Sequence, residues 1–123
     1  MRILMPEVSN HAATDVLSRG FYGSLLRGGV RILLYQDWMV HAKTATIDGR
    51  WTTIGTANID RLSLTGNYEI NVEFIDPLMA GTMEEIFTND LTNAVELSAE
   101  QWAARGFQSR FTEAVLGPLR PLL

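Results

Sequence analysis

The run HAKTATIDGRWTTIGTAN, residues 41–58, decides how this chain is read. Met39 to Ile47 alternates, and on a strand a period of two puts the His41 imidazole and the Lys43 amine on one face, converging on one point. Asp48-Gly49 with Arg50 follows, the best hairpin signal in the sequence, and Trp51 to Gly55 supplies the returning strand. Gly55, Thr56 and Asn58 close the run. An imidazole, an ammonium and an amide held together outline a phosphate site. A phosphodiester spreads negative charge over its oxygens in the transition state, and fixed donors such as Lys43 and Asn58 stabilise that charge. A neutral imidazole is a nucleophile at physiological pH, so His41 can attack phosphorus and divide one hard displacement into two easier ones.

These residues resemble the HKD motif of the phospholipase D superfamily, whose pattern is HxKxxxxD followed by GSxN. His41, Lys43, Asp48, Gly55 and Asn58 match it, and Thr56 stands where the pattern has serine, keeping the hydroxyl. Such a match arises by chance in about one chain in 10,000 of this size. The resemblance continues through Asn67-Tyr68-Glu69, and a family glutamate at this place orients the nucleophilic histidine, a role it implies for Glu69. In the family the aspartate is a structural support. That agrees with the place of Asp48 at the hairpin turn, where a residue of this type bonds its own backbone. Lys43, Asn58 and Thr56 are the expected phosphate holders. The resemblance implies no metal and no cofactor.

The implied chemistry uses two motifs facing each other, one histidine attacking while the other protonates the leaving alkoxide and then activates the incoming alcohol or water. No second HxK is present. The expectation is therefore the C-terminal half of a longer two-motif enzyme, because such families place a further helix and strand before Arg-Ile-Leu-Met-Pro. A chain beginning on a core strand leaves a sheet edge that needs a partner. The ending, with Trp102, scattered arginines and Pro-Leu-Leu, is similar to that of bacterial cardiolipin synthases. Phosphatidyl transfer on a phospholipid substrate is the expected activity. The alternatives are a homodimeric single-motif endonuclease and an assembly fragment without a complete site.

Length and composition bound the rest. With 123 residues, 46% hydrophobic and 20% charged, the chain is sized for one globular domain. A net charge of -4 argues against a broad nucleic-acid footprint, which needs a basic stripe. The absence of cysteine excludes disulfides and is compatible with a reducing compartment. No run approaches eighteen apolar residues, and the start MRILMPEVSN lacks signal-peptide order. The expected location is cytoplasmic or peripheral to a membrane, with any anchor outside this chain.

The remaining pattern predicts an α/β fold, a mixed sheet flanked by helices, which the resemblance implies to be one phospholipase D-like half-domain. Met1 to Met5 and Val30 to Tyr35 read as parallel strands covered on both faces, joined by a helix capped by Asn10 and ended by Gly28-Gly29. Tyr68 to Ile75 alternates, with Tyr68, Ile70, Val72 and Phe74 on one face and Glu69, Asn71 and Glu73 on the other; such a polar face ordinarily meets solvent, but beside the His41 strand it would offer Glu69, and less readily Asn71, to the pocket. Asp76-Pro77 opens a helix running to Leu91. Ser98 with Gln101 forms a capping box for a last helix over about 98–117. Its stripe of large apolar residues is expected to face the core or a partner, with a membrane surface met by Trp102 and Phe111 and by Arg105, Arg110 and Arg120 as the alternative. His11 falls outside the motif and is expected as a solvent or loop histidine.

Overall fold

Residues 1–8, 19–58, 66–106 and 115 are described by the computed structural model. In chain order the elements are β1 (Arg2–Pro6), α1 (Tyr22–Arg27), β2 (Arg31–Tyr35), β3 (Lys43–Ile47), β4 (Trp51–Gly55), β5 (Asn71–Ile75), α2 (Pro77–Asp90), β6 (Ala94–Leu97) and α3 (Ala99–Ala103). Parallel and antiparallel strands with helices make this a mixed α/β fold, as expected. The chain divides into two compact units, Met1–Val40 with Asn93–Leu122, and His41–Thr92.

The first unit is built on β2. Its Ile32 and Leu33 are both buried, and because neighbouring strand residues point to opposite faces, both faces of the strand are covered. β1 pairs parallel to it, Ile3 beside Ile32, and β6 pairs antiparallel on its other side, Ile32 beside Leu97. The strand β6 was not anticipated. Across that edge Arg31 grips Glu96 through two hydrogen bonds, Nε to Oε1 at 2.8 Å and Nη2 to Oε2 at 2.6 Å. That grip holds the Glu96 carboxyl below its ordinary range and raises Arg31.

α1 ends where its glycines demand. Gly29 takes φ +78°, its N–H donates to Leu26 and that of Val30 to Leu25, the pair of bonds that satisfies the last carbonyls of a helix. The helix expected to run unbroken from Asn10 through Leu26 does not: Arg19 is helical, Gly20 and Phe21 form a turn, and helix resumes at Tyr22. Glycine is a poor helix former, and the break falls on it. Asn10, His11 and Val16 lie outside the described residues.

α3 begins on the expected capping box, Gln101 N–H to Ser98 Oγ at 3.1 Å and Ser98 N–H to Gln101 Oε1 at 2.8 Å. It closes at Ala103, with Ala104–Gly106 non-helical, so 98–117 is not one unbroken helix; Val115 is helical, and Phe107, Arg110, Phe111, Leu116 and Arg120 lie outside the described residues. Trp102 is occupied within this unit. Its ring lies 5.3 Å from that of buried Tyr22, and the Arg105 guanidinium sits 3.9 Å from its centre while donating to its carbonyl.

The second unit is a three-stranded antiparallel meander, in the order β3-β4-β5, packed against α2. Asp48 and Gly49 both have positive φ, 52° and 60°, and Arg50 N–H closes the bend on Ile47 C=O at 3.1 Å. These are the φ signs of a type I′ turn, which matches the twist of paired strands. Asp76 caps α2 by accepting from Leu78 N–H at 3.0 Å, with Pro77 in its first turn, as the sequence predicts. Among the described residues, Thr52 and Ala80 are the buried side chains here.

Three strand expectations need correction. β3 starts at Lys43 rather than Met39, because its ladder with β4 runs out at the pair Lys43 and Gly55. β5 starts at Asn71 rather than Tyr68, so Tyr68 and Ile70 are exposed instead of forming an apolar face. And β4 lies between β3 and β5, so the Glu69 segment does not neighbour the strand that follows His41.

Candidate active site

The residues singled out in the sequence, His41, Lys43, Asp48, Gly55, Thr56, Asn58 and Glu69, all belong to the second unit. His41 precedes β3 instead of lying in it, so strand periodicity is not what aims its ring. A direct contact does that. Lys43 Nζ sits 2.9 Å from His41 Nδ1 and also donates to the His41 carbonyl at 2.9 Å. An ammonium can only donate. In this contact, then, Nδ1 is the accepting atom. His41 is exposed, so a ligand can reach it, while Lys43 is half-buried.

Lys43 also marks the end of the sheet. Lys43 pairs with Gly55 and Gly55 with Asn71, so the three form one row on one face of the meander. Gly55 is required there: a Cβ would lie 2.5 Å from Asn71 Cγ and closer still to the Ile70 carbonyl and Asn71 Oδ1. The Asn71 carboxamide occupies the space that the missing side chain leaves.

Beyond that row, side chains replace the ladder. Thr56 N–H donates to Ile70 C=O at 3.0 Å, and Ile70 N–H donates to Thr56 Oγ1, not to a backbone carbonyl, at 3.0 Å. This is why β5 begins where it does, and it gives the Thr56 hydroxyl a structural duty the sequence did not show. Ala57 N–H likewise donates to Asn71 Oδ1 at 3.2 Å. The Gly55–Asn58 loop is thus stapled to the Ile70-Asn71 segment, carrying exposed Asn58 at its end.

Glu69 precedes the staple and is half-buried. Its Oε1 accepts from Asn67 Nδ2 at 3.4 Å, and among the described residues no hydrogen bond joins it to His41. Asp48 stands at the turn, at the far end of β3 from Lys43. Among the described residues no cluster of His, Cys, Asp or Glu could hold a metal ion, and no helix is long and apolar enough to cross a membrane.

Comparison with known proteins adds a different kind of observation. Residues 1–91 match a family model described as cardiolipin synthase, PLD-like domain. The whole chain is 32% identical to cardiolipin synthases of Listeria welshimeri and Listeria innocua, and 31% identical to that of Clostridium perfringens. It covers 26% of each of those proteins, so the chain spans about a quarter of the length of the curated relatives it matches. No solved structure matches.

Proposed function

This chain belongs to the cardiolipin synthase, PLD-like domain family, and on that premise we propose that it carries the nucleophilic half of a phosphatidyl-transfer site acting through a phosphohistidine. The observation that carries the reading is the 2.9 Å approach of the Lys43 ammonium to the His41 ring, on an exposed face beside the Gly55–Asn58 loop. A phosphodiester anion is a better partner for an ammonium than a ring nitrogen is. Its arrival draws Lys43 off Nδ1 onto a non-bridging oxygen. Nδ1 is then free to take the ring proton and present it to Glu69, which leaves Nε2 with the lone pair that attacks phosphorus.

In the step that follows, the Nε2–P bond forms as the P–O bond to the leaving alkoxide breaks, and the alkoxide takes its proton from an acid outside this motif. A second HKD half, in the same longer protein or in a homodimer mate, supplies that acid and then deprotonates the acceptor alcohol or water. Lys43 and Asn58 hold the charge that develops on the non-bridging oxygens. Thr56 supports them by fixing the loop, and its hydroxyl is the candidate for a further phosphate contact. Asp48 and Gly55 shape the hairpin and the row. A phospholipid substrate places the work at a membrane surface. The endonuclease alternative gains no support from a chain of net charge -4.

The test supplies the intact protein with phosphatidylglycerol vesicles. The expected products are cardiolipin and glycerol, formed through an acid-labile, base-stable phosphoryl-enzyme, and His41→Ala slows turnover by about 10³-fold or more with no such adduct. A His41→Ala protein that still accumulates the adduct overturns the reading.

A further inference from the structure

We propose that Asn71 is a positioning residue for this site, its carboxamide fixing the Ala57 amide and thereby the direction from which Asn58 enters. The proposal rests on the phosphoryl-transfer reading above for what Asn58 does, and on geometry alone for what Asn71 does.

Three observations converge on it. Asn71 shares a cross-strand row with Gly55 and Lys43, so its side chain projects from the face of the sheet that bears the Lys43 amine. The middle member of that row has no side chain, and any Cβ there would collide with the Asn71 carboxamide. The carboxamide oxygen then accepts from Ala57 N–H at 3.2 Å, one residue past the point where Thr56 makes the last backbone bond to Ile70. Asn71 thus extends the pairing by one more residue, with an amide side chain standing in for a backbone carbonyl.

Ala57 is the residue immediately before Asn58. The plane of the peptide it anchors sets where the Asn58 Cα lies, and a displacement of about 1 Å in a group that holds transition-state charge costs on the order of 10²-fold in rate. Neither partner works alone: a larger residue at 55 would evict the carboxamide, and a shorter one at 71 would leave the Ala57 amide without it. Asn71 touches no reacting atom in this arrangement, so its effect is exerted through Asn58.

Two measurements on the intact protein test this. Amide hydrogen exchange at Ala57 should accelerate about tenfold or more in Asn71→Ala and stay protected in Asn71→Asp, which keeps an oxygen acceptor at the same reach. On phosphatidylglycerol vesicles, Asn71→Ala should lower kcat about tenfold with KM within about twofold. Placed in an Asn58→Ala background it should cost less than about twofold more, since the group it aims is already gone. Unchanged exchange at Ala57 in Asn71→Ala overturns the proposal, and so does a double variant in which the two losses multiply. Failure of the underlying reading looks different: His41→Ala then keeps its turnover, while the exchange result still decides whether Asn71 holds the loop.

Discussion

The two units of this chain are held together by different means. In the first, a strand with buried residues on both faces lies between two others, and the aromatic pair Tyr22 and Trp102 joins its helices. In the second, a threonine and an alanine are the buried side chains among the described residues, and the end that carries His41, Lys43 and Asn58 is secured by backbone N–H groups that donate to Thr56 and Asn71 side-chain oxygens. Apolar burial is tolerant of direction, and hydrogen bonds are not. A group of donors that must keep fixed directions is better served by the second kind of construction, and a scaffold by the first.

The contrast is open to attack in the scaffold. Ile32→Ala removes a fully buried side chain from the centre of β2 and should cost about 3 kcal/mol, read as a lower midpoint in urea denaturation of the intact protein. A loss under about 1 kcal/mol would mean that burial at β2 is not what holds the first unit.

A smaller effect of opposite sign is expected in the second unit. Thr52 is completely buried, and its Oγ1 has no hydrogen-bond partner among the described residues. Thr52→Val keeps the shape and removes that hydroxyl, so it should stabilise by about 1 kcal/mol in the same denaturation experiment. Destabilisation would show that this unit uses the hydroxyl, and that polar bonding reaches into its interior as well as its site.

The smallest effect sharpens the comparison from the polar side of the first unit. Glu96 sits below its ordinary carboxyl range because of the hydrogen bonds from Arg31. A depressed folded-state value means the pair contributes above the unfolded value near 4.5 and loses its contribution as pH falls through the folded one. Both side chains are exposed, so solvent screens the pair. Arg31→Gln should lower the melting temperature by about 1 °C at neutral pH, and the gap should close in acid, as read by thermal melts at pH 7 and pH 3. A gap that persists at pH 3 would point to packing of the Arg31 stem instead of its charge.

Much of this was legible beforehand. The hairpin was, because Asp48-Gly49 supplies two residues that tolerate positive φ; so were α2, from Asp76-Pro77, and the parallel pair β1 and β2, from their apolar runs. The motif residues were legible as types and spacings, which is how His41 and Lys43 were paired. Their geometry was not: the contact depends on a lysine folding back from the start of β3, and no period encodes that. β6 escaped notice because Ala-Val-Glu-Leu is four residues long between a helix and a capping box, although Val95 and Leu97 bracketing Glu96 was a signal of alternation. The bonds that Thr56 makes to Ile70 were not legible, because a hydroxyl substituting for a ladder carbonyl leaves no trace in composition or period.

The bend at Asp48-Gly49 has one more consequence. Residues facing each other across β3 and β4 share a side, so sliding one strand a single place past the other would bring Thr44 opposite Gly55 and send the Lys43 amine through to the reverse of the sheet. The tight bend forbids that slide from the opposite end of the strand, about 14 Å away along β3. The identity of the cation that stands beside His41 is therefore decided by a corner at the other end of the strand.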